Sequence, residues 1–145
     1  MLTVRQMEEA DLGSVARIEA SIFSKPWSEE GFRDSLKLPN TVYLVAEQDG
    51  SIAGYIGMLC VLDEGEITNV AVAEGFRRQG IGERLLSSLL QAGRKEGVDS
   101  FTLEVRESNS SARRLYRKLG FQEEGIRKNF YEKPTEDAIL MWKRF

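Results

Sequence analysis

The side chains that could carry out chemistry in this chain are few, and their types narrow the reactions open to it. Its 145 residues include no histidine and a single cysteine, Cys60. Ser-His-Asp and Cys-His catalysis, metal sites that need histidine, internal disulfides and CxxC redox chemistry are therefore excluded. Cys60 lies in an apolar run with no histidine to activate it, so we expect an inert, buried thiol. Catalysis must use carboxylates, lysines, tyrosines, serines, backbone dipoles or a bound cofactor.

A glycine-rich segment with two arginines is the strongest local signal. Arg77-Arg78-Gln79-Gly80-Ile81-Gly82 lies between a predicted strand and a predicted helix. The first N–H groups of a helix have no intrahelical partner and attract anions. The glycines let a ligand approach the backbone, and the arginines add charge for phosphates. The segment predicts a phosphate-binding loop.

Two familiar phosphate-binding patterns do not fit this segment. Gly75 and Gly80 have half of the P-loop spacing, but Ile81-Gly82 stands where Lys-Ser/Thr is required. Gly80 and Gly82 begin a dinucleotide fingerprint, but Leu85 occupies the third glycine position. The R/Q-x-x-G-x-G/A pattern fits, and an ordinary glycine-rich turn is the structural alternative.

Two further residues, Glu104 and Tyr116, could handle protons. Strand alternation places Glu104 on the face opposite Leu103 and Val105. A carboxylate there costs free energy unless it is paired or faces water in a cleft. A salt bridge to Arg106 or another cation is the structural alternative. Tyr116 lies on the apolar face of a predicted helix, where an ordinary core tyrosine is the alternative.

The elements that must position these residues follow from hydrophobic periodicity and turn signals. The predicted order is β-α-α-β-β-β-α-β-α-β-β, an α+β (mixed α/β) fold with a mixed, mostly antiparallel sheet of six to seven strands and four helices. Ser28 and Asn109 are predicted helix caps, and Gly54 and Gly57 predict a bulge or a close approach within a strand. The predicted strands are 2–7, 41–47, 51–62, 67–72, 101–105, 121–125 and 138–142, and the predicted helices are 9–22, 28–39, 81–97 and 109–120.

Length and composition set the class of protein. One domain over residues 1–145 is expected at this length. The net charge of −3 does not suggest nucleic acid or an anionic membrane as partner. No stretch approaches the roughly 18 apolar residues of a membrane span, and the N-terminus has no apolar signal core. We therefore expect a cytoplasmic protein, with a monomer as the simplest oligomeric state.

The loop and the element order together resemble the GNAT superfamily of N-acetyltransferases. Further segments resemble its RimI subgroup, whose members acetylate the N-terminal alanine of a small-subunit ribosomal protein. The resemblance spans nearly the whole chain and implies acetyl-CoA as co-substrate, with no metal. These segments are Ser24–Ser28 with Phe32, Leu103–Arg106 with Asn109, Leu115-Tyr116 with Leu119–Phe121, Arg127–Tyr131 and Glu136–Met141.

The resemblance also implies roles for individual residues. Glu104 would be the general base for the substrate amine, and Tyr116 would protonate the departing thiolate. Trp27, Asn129, Phe130 and Tyr131 would line the peptide groove, with ordinary loop packing as the alternative. Acetyl-CoA would contact Val70, Ala71, Val72, Arg77, Arg78, Gln79, Gly80, Ile81, Gly82, Glu83 and Asn109.

The predicted activity is acetyl transfer from acetyl-CoA to the α-amine of an N-terminal alanine by direct attack. The predicted partner is the N-terminus of a basic, ribosomal protein. Two alternatives stay open at this point. One is an N-terminal or lysine acetyltransferase of broader specificity, and the other is a non-catalytic domain that binds acyl-CoA.

Overall fold

A seven-stranded sheet runs through the computed structural model, which describes residues 1–145. The strand order is β1-β2-β3-β4-β5-β7-β6, and only β4 and β5 pair in parallel. The strands are β1 (Leu2–Gln6), β2 (Thr41–Gln48), β3 (Ser51–Val61), β4 (Glu64–Val72), β5 (Ser100–Arg106), β6 (Gln122–Tyr131) and β7 (Glu136–Arg144).

Four helices accompany the sheet, and two begin at the predicted caps. The Ser28 Oγ accepts the Gly31 N–H at 3.0 Å, and the Asn109 Oδ1 accepts the Ala112 N–H at 3.2 Å. These bonds satisfy N–H groups that a helix start leaves unpaired. Short 3-10 turns precede the first and third helices, at 9–11 and 74–76. The helices are α1 (Leu12–Ile22), α2 (Glu29–Leu36), α3 (Ile81–Lys95) and α4 (Ser110–Lys118).

The predicted fold class and element order are confirmed, with one local difference. The sequence predicts short last strands, at 121–125 and 138–142, which leave residues 127–131 in a loop. Instead β6 continues to Tyr131, which pairs with Glu136. The register shifts between Arg127 and Tyr131, and the Asn129 N–H bonds the Asp137 carboxylate at 2.9 Å rather than a strand carbonyl. Charged side chains hide the strand pattern because β6 is an exposed edge.

The core lies on both faces of the sheet. Leu44 and Val45 are neighbours on β2 and belong to different buried clusters, so they point to opposite faces. The cluster containing Leu44 packs against α3, and the cluster containing Val45 packs against α1 and α2. The predicted close approach at Gly54 is present, since a Cβ there would lie 2.6 Å from the Ala71 carbonyl oxygen.

The sheet opens in its middle, between β4 and β5. The two strands pair only through 64–66 and 100–102. Beyond these pairs β5 continues against β7, and residues 67–72 have no strand partner on their β5 side. A bulge at Thr68 adds to the divergence, because Gly57 pairs with Asn69 while Met58 pairs with Ile67.

No helix is long and apolar enough to cross a membrane.

Candidate active site

A pocket of about 600 Å³ occupies the gap between the diverging strands. Its walls come from β4, β5, α4, the connection between α1 and α2, and the end of the β6–β7 hairpin. The pocket brings together residues that are up to 115 positions apart in sequence, from Glu19 to Pro134. Its lining comprises Glu19, 22–25, Trp27, 67–70, 103–106, Asn109, Tyr116 and 130–134.

Glu104 projects from β5 into this pocket and is half-buried. Its Oε2 atom is fully buried and receives no aligned hydrogen bond, although the Arg127 Nε lies 2.9 Å away. Burial raises the pKa of the Glu104 carboxyl, the Arg127 guanidinium opposes that rise, and the Glu66 carboxylate adds to it. Arg106, one predicted partner, instead pairs with Glu136 at 3.1 Å. The salt-bridge alternative is therefore present, with Arg127 as the cation.

Tyr116 is both a core residue and a pocket residue. Its side chain is 7 % exposed and its ring centroid lies 6.0 Å from that of Phe121. It also lines the pocket beside Glu104. Burial raises the pKa of the Tyr116 phenol to about 12, and nearby Tyr131, also raised to about 12 by burial, adds to this effect. Tyr116 is therefore protonated at neutral pH and can act only as a proton donor there.

The glycine-rich loop leads into α3 as predicted. Gly80 adopts the left-handed conformation, with φ of 75°, and the first intrahelical bond runs from the Arg84 N–H to the Gly80 oxygen at 3.1 Å. The N–H groups of Ile81, Gly82 and Glu83 therefore have no intrahelical partner. A Cβ at Gly82 would lie 3.4 Å from the Leu115 side chain. The loop thus presents bare backbone and free donors to an anion.

Charged and polar side chains frame this loop. Arg77 and Arg78 are exposed, and the Arg77 Nε donates to the Val72 carbonyl oxygen at 3.2 Å. Glu83, in the first turn of α3, forms an ion pair with Lys118 at 2.8 Å. The Gln48 amide donates to the Gln79 Oε1 at 3.3 Å. Its bond to Val72 therefore holds the Arg77 side chain against the open edge of β4.

Some of the other residues predicted to contact acetyl-CoA or the peptide line the pocket, and some do not. Val70 and Asn109 line the pocket, and the Asn109 side chain also caps α4 as predicted. Ala71 and Val72 lie further along β4. Trp27 and Tyr131 line the pocket, as does Phe130. Asn129 is exposed and does not line it.

Two contacts across the pocket were not predicted from the sequence. The Ser24 Oγ donates to the Glu132 carbonyl oxygen at 3.2 Å, and Lys25 forms an ion pair with the Glu132 carboxylate. Together they join the loop after α1 to the end of the β6–β7 hairpin. Ser24 and Lys25 belong to a segment that resembles the RimI subgroup, but that resemblance did not indicate a contact with Glu132.

Glu19 is a third residue that sequence reasoning missed. Its carboxylate is 3 % exposed and accepts hydrogen bonds from the Tyr55 hydroxyl and from the Trp27 N–H, the latter at 3.0 Å. It therefore anchors the loop that carries Trp27. A signal existed, since Glu19 follows Val15 by four residues on the apolar face of α1.

Two other features lie away from this pocket. A shallower cleft of about 510 Å³ beside β1 and α1 contains none of the predicted site residues, and its Arg5 is already paired with Asp11 at 2.8 Å. Cys60 is half-buried rather than buried, and burial raises the pKa of its thiol. No group of three or more His, Cys, Asp or Glu side chains is arranged to hold a metal ion.

Comparison with known proteins confirms the family, fold and enzyme class predicted from the sequence. Residues 12–121 match the Acetyltransferase (GNAT) family. The [ribosomal protein bS18]-alanine N-acetyltransferase of Escherichia coli K12 is 39 % identical over 97 % of this chain and 96 % of its own length. The N-alpha-acetyltransferase RimI of Mycobacterium tuberculosis is 34 % identical over 97 % of this chain and 90 % of its own.

Solved structures agree with these relatives. The crystal structure of the ribosomal-protein-S18-alanine N-acetyltransferase from Escherichia coli superposes with a TM-score of 0.92 at 37 % identity, covering 99 % of this chain and 94 % of the other. Ard1 from Thermoplasma volcanium superposes with a TM-score of 0.89 at 30 % identity, covering 99 % and 97 %. The chain therefore belongs to the GNAT family of acetyl-CoA-dependent N-acetyltransferases.

Proposed function

We propose that the protein transfers acetyl from acetyl-CoA to the N-terminal α-amine of a ribosomal protein that begins with alanine. The observation that carries this proposal is the placement of Glu104 and Tyr116 in one pocket, beside the open edge of β4. A base and an acid at the same cleft are what a direct transfer requires. The acceptor follows from the relatives, which are named as alanine N-acetyltransferases of ribosomal protein bS18.

The open edge of β4 and the loop at Arg77–Gly82 fit acetyl-CoA. Residues 67–72 offer unpaired backbone groups to its extended amide-containing arm, and the free N–H groups at the start of α3 suit its phosphates. Acetyl-CoA supplies the activated acetyl thioester. A backbone N–H of β4 would polarise the thioester carbonyl.

Glu104 is the proposed general base. An N-terminal α-ammonium has a pKa of about 7.7–8.0, against about 10.4 for lysine, so it gives up its proton far more easily. Burial makes Glu104 more basic than an exposed glutamate. Glu104 takes the proton, directly or through water, and the neutral amine attacks the thioester carbonyl without a covalent enzyme intermediate.

Tyr116 is the proposed general acid. It donates its proton to the leaving thiolate, whose thiol has a pKa of about 8.5. The high pKa of the buried phenol keeps Tyr116 protonated until that step. Trp27 and Tyr131 flank the entrance for the peptide, and a ribosomal acceptor would place the reaction in the cytoplasm.

The test is mass spectrometry of peptides incubated with acetyl-CoA and the protein. Peptides that begin with Ala, that begin with Ser, or that have a blocked N-terminus and an internal Lys are compared. We expect acetyl on the α-amine of the Ala peptide, and equal use of internal lysine would overturn the proposal. Glu104→Gln and Tyr116→Phe should each lower kcat by about 10²–10⁴-fold. Glu124→Gln, remote from the pocket in its pair with Arg144, is the control. Undiminished transfer by both site variants would refute the assigned roles.

A further inference from the structure

Glu104 has a single cation in contact with it, Arg127 of β6. The Arg127 Nε lies 2.9 Å from Oε2, yet that buried oxygen receives no aligned hydrogen bond. Glu66 on β4, Tyr131 on β6 and Tyr116 across the pocket also surround Glu104. Lys25, Arg106 and Lys133 line the same pocket, and Lys25 and Arg106 are paired with Glu132 and Glu136. Arg127 is the cation that lies within ion-pair distance of Glu104.

Arg127 occupies one approach to the proposed base, at the Oε2 atom of Glu104. A general base must approach the proton it removes to about 2.6–3.2 Å between heavy atoms. The Arg127 Nε already lies within that range of the one buried carboxylate oxygen. A substrate α-ammonium at Oε2 would meet the guanidinium, and two cations at one half-buried carboxylate repel each other.

Little else holds Arg127 in place. Its side chain is 58 % exposed and belongs to an edge strand. Apart from Glu104, its guanidinium approaches the Phe130 ring, with the guanidinium carbon 5.8 Å from the ring centroid. Arg106 contrasts with it, because that guanidinium donates to Glu136 and to the carbonyl oxygens of Glu132 and Pro134. An exposed ion pair contributes little free energy, so the contact of Arg127 is easily broken. Arg106, with three hydrogen-bond acceptors, is held in place.

We propose that Arg127 is a displaceable counter-ion of Glu104, which holds the position of the substrate α-ammonium in the free enzyme and gives it up when the substrate binds. This inference rests on the proposed function of Glu104 as base. Substrate binding then exchanges one cation for another, so Glu104 remains ionised before and during the encounter. After transfer, and once Glu104 has released its proton to solvent, the neutral amide product cannot compete with the returning guanidinium. Arg127 thereby favours product release.

The test compares Arg127→Met with Arg127→Lys, and uses Arg144→Met as the matched control. Arg144 is 55 % exposed and pairs with Glu124 outside the pocket. The first measurement is the titration of the Glu104 side-chain carboxyl carbon by NMR in the free enzyme. The second is the KM for an Ala-starting peptide at saturating acetyl-CoA. Arg127→Gln, a shorter polar variant, repeats both measurements should Arg127→Met fold poorly.

We expect Arg127→Met to raise the midpoint of the Glu104 titration by about one pH unit and to lower the peptide KM several-fold. Arg127→Lys and Arg144→Met should resemble the parent in both measurements. An unchanged titration, or a peptide KM that is unchanged or higher, would overturn the role of Arg127. Glu104→Gln separates the two hypotheses. Full activity of Glu104→Gln would refute the role of Glu104 as general base. Low activity of Glu104→Gln, together with a parent-like titration and peptide KM for Arg127→Met, would refute only the role of Arg127 as counter-ion.

Discussion

Replacing Tyr55 by phenylalanine removes one buried hydroxyl and tests how Glu19 anchors the loop that carries Trp27. Tyr55 is fully buried and its hydroxyl donates to the Glu19 carboxylate, which also accepts the Trp27 N–H at 3.0 Å. Burial, followed by the adjacent carboxylate, raises the pKa of the Tyr55 phenol. The phenol therefore stays a donor, and the carboxylate depends on it.

The magnitude follows from a hydrogen bond to a buried charge. Such bonds contribute about 1.5–3 kcal/mol, and the Tyr55→Phe change leaves a carboxylate oxygen of Glu19 without its donor. For a chain of this length that loss lowers the melting temperature by about 5–10 °C. Ring packing is unchanged, because the Phe32 contact at 5.6 Å between centroids involves only the ring.

The assay is urea unfolding of Tyr55→Phe beside a matched variant, Tyr43→Phe. Tyr43 is also buried, at 6 % exposure, and its ring centroid lies 6.4 Å from that of Phe32. Its hydroxyl makes no hydrogen bond within the protein, so its loss should change stability by less than about 0.5 kcal/mol. Glu19→Ala, which also frees the Trp27 N–H, should in addition raise the peptide KM, whereas Tyr55→Phe should leave KM near the parent value.

Equal stability of the Tyr55→Phe and Tyr43→Phe variants would refute the reasoning, because the carboxylate would then not depend on its donor. A parent-like peptide KM for Glu19→Ala would show that Glu19 does not anchor the Trp27 loop. The two measurements therefore separate the energetic part of the argument from its functional part.

Three further predictions concern other parts of the chain. Gly80→Ala and Gly50→Ala each place a side chain at a positive φ, of 75° and 83°, with no other atom within 4 Å. Each should therefore lower the free energy of unfolding by about 1–2 kcal/mol. Only Gly80→Ala should raise the KM for acetyl-CoA, and equal KM values for the two variants in steady-state kinetics would contradict the loop assignment. Gly54→Ala forces a Cβ to 2.6 Å from the Ala71 oxygen and should cost about 1–3 kcal/mol in urea unfolding. Gly75→Ala, which meets nothing, is its control. Hydrogen bonds from Arg5 lower the pKa of Asp11, so its stabilisation is complete above the unfolded pKa of about 3.9 and is lost as pH falls through the lower folded pKa. Asp11→Asn should be less stable at pH 7 and should flatten the pH dependence of unfolding below about pH 4; an unchanged slope there would contradict this linkage.

The order of elements could be predicted because local signals agree with the final packing. The apolar repeat of α3 at Ile81, Leu85 and Leu89 becomes buried, and the caps at Ser28 and Asn109 form as expected. Each of these signals depends on residues within one or two turns of chain. Strand alternation likewise placed Leu103 in the core and Glu104 on the other face.

The environment of the site could not be predicted to the same extent. The contact between Arg127 and Glu104 depends on the order in which β5, β7 and β6 pair. It also depends on a register shift between Glu123 and Gly125, which moves the residues from Gly125 to Arg127 by one position along β7. A bulge of one residue leaves no clear mark in a strand as polar as β6. Sequence therefore indicates which residues could react but not which cation faces them.

The divergence of β4 and β5 has a consequence for the cooperativity of the whole molecule. Only three residue pairs join the strands β1–β4 to the strands β5–β7 within the sheet. A ligand whose amide groups pair with the open edge of β4 takes the place of a missing strand. Such a ligand couples the strands β1–β4 to the strands β5–β7. A ligand at 100 times its Kd adds about 2.7 kcal/mol to the stability of the form that binds it. Acetyl-CoA would then be a structural component as well as a reactant, and amide protons flanking the opening would exchange fastest each time coenzyme A departs.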